Sequence, residues 1–142
     1  MSKIEGSVIV DTPIEKVFEL ASDWRRWPEW FEGVSDVIAI GDVDRGNGAR
    51  YAYRVRVMGI PAKVETEIHN FVENEGWTGI GTKGLPHKTR WIFEAQGQTT
   101  KFTYILEYTV PLPLLGALLD RFLIRREWRR IIDKSLKNLT SA

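Results

Sequence analysis

Two histidines, four tyrosines and no cysteine are the raw material for chemistry in this chain. His69 falls on the same face of an alternating run as Lys63, Glu65 and Glu67, which reads as a solvated surface rather than a general base. His87, in Gly84-Leu85-Pro86-His87-Lys88, reads as a loop residue placed to border a cavity mouth. Two well-separated histidines without a cysteine exclude a histidine- or cysteine-rich metal site, and disulfides and cysteine nucleophiles are excluded with it. No serine stands in a nucleophile elbow. Gly79-Ile80-Gly81-Thr82-Lys83-Gly84 does not match a phosphate-cradling loop and reads instead as a flexible strand end or gate. No catalytic residue is assigned on this basis, and no motif calls for a cofactor.

The tyrosines are more informative. Tyr51 and Tyr53 alternate in one run, and Tyr104 and Tyr108 share the face of another with Phe102, Leu106 and Val110. A buried phenol needs a hydrogen-bond partner and can offer its hydroxyl to a ligand; the competing reading is that these tyrosines fill a core and bond one another or water. Arg125, beside Phe122 and Trp128 at helical spacing, is the one basic side chain able to point inward with them. Its alternative is to snorkel to solvent with Arg126, Arg129 and Arg130.

The elements that position these residues follow from period and punctuation. Ile4 to Val10 reads as a first strand. Thr12 as N-cap, Pro13 at the first helical position and Glu15 three residues on form a capping-box signal for a short helix carrying Ile14, Val17, Phe18 and Ala21. Asp23-Trp24-Arg25-Arg26-Trp27-Pro28-Glu29-Trp30-Phe31 then packs three of six tryptophans into nine residues. Pro28 disfavours the α conformation at Trp27, so a helix must break or restart there, and the knot reads as a lid on a core or a cavity. Six strands follow, at 34–40, 50–57, 63–69, 77–82, 89–95 and 101–110. Pro111 and Pro113 end the last of them, and a helix from about Leu114 to about Leu139 would span about 39 Å. Its apolar stripe runs through Leu114, Leu118, Phe122, Arg125, Trp128, Ile132, Leu136 and Leu139. The order predicts an α+β domain with an antiparallel sheet and helices on one face.

Composition sets the class. A chain of 142 residues with 43% hydrophobic and 27% charged residues is one globular domain. A net charge of +1 gives no reason to expect nucleic acid. The first ten residues lack the apolar run of a signal peptide, and no segment approaches the ~18 apolar residues of a membrane span, so a soluble cytoplasmic protein is expected. Apolar residues from Leu112 to Ile124, followed by the basic cluster Arg125 to Arg130 around Trp128, would suit transient contact of residues 112–130 with an anionic membrane surface; burial against the tryptophan knot competes with that reading.

Three local pieces carry a resemblance: the strand and Pro-started helix of Val8 to Phe18, the Asp23-Trp24…Trp27-Pro28-Glu29-Trp30 signature, and Thr89 to Glu94 with the strand and helix that follow. Together they resemble the START/Bet v 1-like (SRPBCC) superfamily, in particular its polyketide cyclase/dehydrase and lipid-transport branch, over essentially the whole of residues 1–142. The resemblance implies a helix-grip fold, a seven-stranded antiparallel sheet curled around the C-terminal helix with two short helices after strand 1, enclosing an elongated apolar cavity. Trp30, Tyr51, Tyr53, Val64, Thr66, Trp91, Phe93, Tyr104, Leu106, Tyr108, Leu118, Phe122 and Arg125 are expected to line it. The function expected first is non-catalytic binding or transfer of a small hydrophobic ligand, such as a lipid, an isoprenoid or a polyketide-like aromatic, by a monomer or dimer. A polyketide cyclase or dehydratase is the second expectation. A protein-interaction module using the groove for a partner helix is the third.

Overall fold

Alternating apolar and charged residues leave each strand one face to bury, and seven such strands assemble into a single sheet. The computed structural model describes residues 2–57, 59–84, 86–109 and 123–141. Strand β1 (Ser2–Val10) is followed by α1 (Ile14–Ser22), a single 3-10 turn (Trp24–Arg26) and α2 (Trp27–Trp30). Then come β2 (Val34–Ile40), β3 (Arg50–Val57), β4 (Ile60–Val72), β5 (Gly76–Lys83), β6 (His87–Gln96), β7 (Thr99–Tyr108) and the C-terminal helix α3 (Arg125–Leu139). The sheet order is β1-β7-β6-β5-β4-β3-β2, antiparallel at every pairing. Irregularities in the ladder between Ser35 and Ile38, Glu65 and Thr66, and His69 and Val72 add bends where a long sheet must curl.

The strand phases follow the alternation. Trp91, Phe93, Tyr104 and Tyr108 are buried and Tyr53 is half-buried, while Arg54 and Arg90 are exposed. The inward face carries one continuous aromatic core. Trp91 is its centre, stacked on Trp77 at 4.7 Å and on Trp27 at 5.6 Å, with Trp30 edge-on at 5.8 Å. Phe93 and Phe102 stack at 4.6 Å beside Phe18.

Helix α3 buries Trp128, Ile131, Ile132, Ser135, Leu136 and Leu139 against β1 and α2. It can lie this close because Gly6 of β1 has no side chain: a Cβ there would stand 3.0 Å from Leu136 Cδ1 and 3.1 Å from Ile132 Cγ2. Two hydrogen bonds fasten it to the tryptophan segment. The Ser135 hydroxyl accepts from the Glu32 N–H at 2.8 Å, and Asn138 Nδ2 donates to the Trp30 carbonyl at 3.2 Å. The expected stripe positions Leu114, Leu118 and Phe122 lie outside the described residues, as does most of the 112–130 segment. No helix among the described residues is long and apolar enough to cross a membrane.

Several local expectations are corrected. The capping box is not formed: α1 starts at Ile14 with Pro13 as its cap, and the Thr12 carbonyl instead accepts from the Thr100 hydroxyl at 2.8 Å, tying the turn to β7. Trp27 is α-helical (φ −53°, ψ −42°) despite preceding Pro28, because its buried ring and its Nε1–H bond to the Ala21 carbonyl at 2.8 Å hold it there. The helix does restart at this point, with Pro28 in the first turn, where a missing N–H costs nothing. Gly79 to Lys83 is no loose end but part of the β5 ladder, with Gly79 paired to Ile68 on one side and Thr89 on the other. His87 belongs to β6, not to a loop, because its pairing with Tyr108 extends the β6–β7 ladder past Thr89.

Candidate functional site

The inner face of β5 reads Trp77, Gly79, Gly81, one large side chain followed by two positions with none. The gap draws in neighbours from both flanking strands. A Cβ on Gly79 would stand 2.6 Å from Thr89 Oγ1 and 3.1 Å from Thr66 Oγ1; one on Gly81 would stand 2.6 Å from His87 Nδ1. Two threonine hydroxyls and an imidazole therefore lie over bare backbone in the middle of an otherwise aromatic face.

Above Gly79 is a small, partly open space of about 20 Å³. Its walls are Trp27, Phe31, Val34, Ile68, Trp77 and Trp91, and its polar groups come from Tyr53, Thr66, Thr89 and Tyr104. That volume accommodates about one water molecule. The hydrogen-bonding capacity around it is largely unspent. Thr89 Oγ1 accepts from Trp91 Nε1 at 3.2 Å, but Thr66 Oγ1 and Trp77 Nε1 are buried with no partner among the described residues. Burial alone pushes the Tyr53 phenol well above its ordinary range, and burial together with the neighbouring Tyr53 does the same to Tyr104. Tyrosine is protonated at physiological pH in any case; here burial makes ionising either phenol costlier still. Among the described residues, no Lys, Arg, Asp or Glu lines the space.

Of the residues expected to line a cavity, Tyr53, Thr66, Trp91 and Tyr104 meet here. Trp30, Val64, Phe93, Leu106 and Tyr108 are buried in the surrounding core without bordering this space. Tyr51 is turned to a different use. Its hydroxyl donates to the Asp44 carbonyl at 2.7 Å, and burial first, then Asp44, pushes the phenol up to about 12. Arg125 is exposed at the start of α3 and does not border this space; on the helix the buried arc begins at Trp128. Leu118 and Phe122 lie outside the described residues. Trp27, Phe31, Val34, Ile68, Trp77, Gly79 and Thr89 border the space without being among the expected lining. For Ile68, Trp77, Gly79 and Thr89 a signal exists, since each continues the inward alternation of its strand. His69 sits on the outer face, its Nε2 2.9 Å from Glu67 Oε1.

A wider cleft of about 540 Å³ lies outside the sheet, between α1, the 3-10 turn and the 41–49 and 73–75 loops. It is polar, and both of its arginines are paired within it: Arg45 with Glu73 at 3.1 Å, and Arg25 with Asp44 at 3.3 Å.

Known proteins share this architecture. The model of the family described as polyketide cyclase / dehydrase and lipid transport matches residues 1–142. The chain is similar in structure to TTHA0849 from Thermus thermophilus, with a TM-score of 0.86 and 20% identity over 99% of this chain and 95% of that one. A START superfamily protein from Mycobacterium smegmatis superimposes with a TM-score of 0.81 at 17% identity, covering 98% and 97% of the two chains. The Zhui aromatase/cyclase from Streptomyces sp. R1128 does so with a TM-score of 0.81 at 12% identity, covering 99% and 92%. Likenesses at this identity speak for the helix-grip fold. No curated protein matches the sequence.

Proposed function

The chain belongs to the polyketide cyclase/dehydrase and lipid transport family, and on that premise we propose that it binds or transfers a small hydrophobic ligand on the inner face of its sheet. The observation that carries this reading is an aromatic-walled space beside a buried hydroxyl, Thr66 Oγ1, that the described protein leaves unsatisfied. Buried polar groups in folded proteins are nearly always paired, so groups left open on an apolar wall are the mark of a site completed by something else. Apolar burial at about 25 cal/mol per Å² would supply the affinity and the hydroxyls the orientation. The polar end of a lipid, an isoprenoid or a polyketide-like aromatic matches that chemistry, while the rest of each is far larger than the 20 Å³ space.

A second reading, ring closure or dehydration of a polyketide-like substrate, is favoured by one observation. His87 lies on the inward face of β6 two residues from Thr89, with its imidazole over Gly81. It is the one histidine placed to move a proton near the site.

Native mass spectrometry of protein purified from its own host, followed by stripping and titration, tests the first reading. A co-purifying hydrophobic adduct that rebinds saturably is expected. An unliganded mass throughout, with no saturable binding of any hydrophobic probe, would overturn it. Turnover of a polyketide-like substrate that collapses in Tyr104→Phe or Tyr53→Phe while affinity holds would promote the enzyme.

A further inference from the structure

The groups around the 20 Å³ space limit what can complete it. The Thr66, Tyr53 and Tyr104 hydroxyls can each donate or accept, so the occupant can be a carbonyl oxygen or a hydroxyl. A bare hydrocarbon would leave the Thr66 hydroxyl unpaired. A carboxylate would find donors enough but no countercharge, since no cationic side chain among the described residues lines the space, and the burial that makes both phenols costlier to ionise acts equally against a buried anion. Phosphate and sulfonate groups, with three or four oxygens, exceed a volume of about one water.

We infer that the inner end of the ligand is an uncharged oxygen, a ketone or hydroxyl, received by Thr66, Tyr53 and Tyr104, and that this end of the site selects against carboxylates and phosphates. The inference rests on the ligand-binding reading above and adds to it the chemistry of the ligand's buried terminus.

The test uses three probes of one shape, naphthalene, 2-acetylnaphthalene and 2-naphthoate, titrated calorimetrically at pH 7 into the intact chain. The variants are Tyr104→Phe and Thr66→Val, with Tyr51→Phe as control; their melting curves are compared with wild type. The ketone should bind about tenfold or more tightly than the carboxylate, and more tightly than the hydrocarbon. Tyr104→Phe or Thr66→Val should weaken the ketone roughly twofold to tenfold, leave naphthalene unchanged, and differ in this from Tyr51→Phe. Carboxylate binding equal to the ketone's would overturn the inference while leaving the ligand-binding reading intact. So would a ketone that gains nothing over naphthalene and is indifferent to both variants, which would make the space the seat of a structural water. Failure of all three probes to bind would overturn the inference, and together with an unliganded native mass it would remove the ligand-binding reading as well.

Discussion

Replacing Gly79 by alanine tests the packing argument at its tightest point. The added methyl would stand 2.6 Å from Thr89 Oγ1 and 3.1 Å from Thr66 Oγ1, and the first distance cannot persist. Neither threonine yields easily. Both are β-branched, stiff at χ1 and buried in strands, and Thr89 Oγ1 is also held by Trp91 Nε1 at 3.2 Å. Overpacking of this kind costs about 1–3 kcal/mol, against which removing a glycine from the unfolded chain returns about 0.4–1 kcal/mol. The net expectation is a loss of about 1–2 kcal/mol. For a chain of this length the unfolding entropy is about 0.3 kcal/mol/K, which converts that loss to a fall of roughly 3–7 °C in Tm. The sharper measurement is a double-mutant cycle by urea denaturation. Thr89→Ala alone should destabilise by about 1–3 kcal/mol, because the Trp91 indole N–H loses its acceptor. It also removes the atom that the new methyl of Gly79→Ala would strike. The glycine substitution should therefore cost about 1 kcal/mol less in the Thr89→Ala background than in wild type. Additivity within about 0.5 kcal/mol would refute the claim that Gly79 is needed for the close approach of Thr89.

Other outcomes follow from the same geometry. Tyr51 has its phenol raised from 10.0 to about 12 in the folded protein, so it binds its proton more tightly when folded; its contribution to stability is full below pH 10 and lost as pH rises toward 12. Denaturation midpoints should therefore fall between those pH values, and less steeply in Tyr51→Phe; an identical slope in the variant would show that this phenol is not the group responsible. Gly6→Val would drive a side chain into Leu136 and Ile132 of α3 and should destabilise by about 1–3 kcal/mol, read by chemical denaturation; an unchanged midpoint would mean that α3 does not depend on the close approach at β1.

Much of this protein is written in local pattern. Alternation at period two separates the strand faces, because slipping a strand by one residue would bury Arg54 or Arg90 in place of Tyr53 or Trp91, and proline punctuation at Pro13 bounds the first helix. The inward turn of Tyr104 and Thr66 is legible for the same reason. What period cannot report is which inward side chain finds a partner. Tyr51 and Tyr53 stand two residues apart on one face of β3 with the same chemistry, yet Tyr51 reaches the Asp44 carbonyl of a loop seven residues back while Tyr53 faces a space shared with Tyr104. Gly79 and Gly81 on β5 suggest looseness in the sequence, whereas flanking strands β4 and β6 use the missing side chains to bring Thr66, Thr89 and His87 over the backbone. Local pattern chooses a face, since it depends only on neighbours along the chain. Only the tertiary structure decides which phenol is spent and which is left open, because that depends on groups brought together from distant strands.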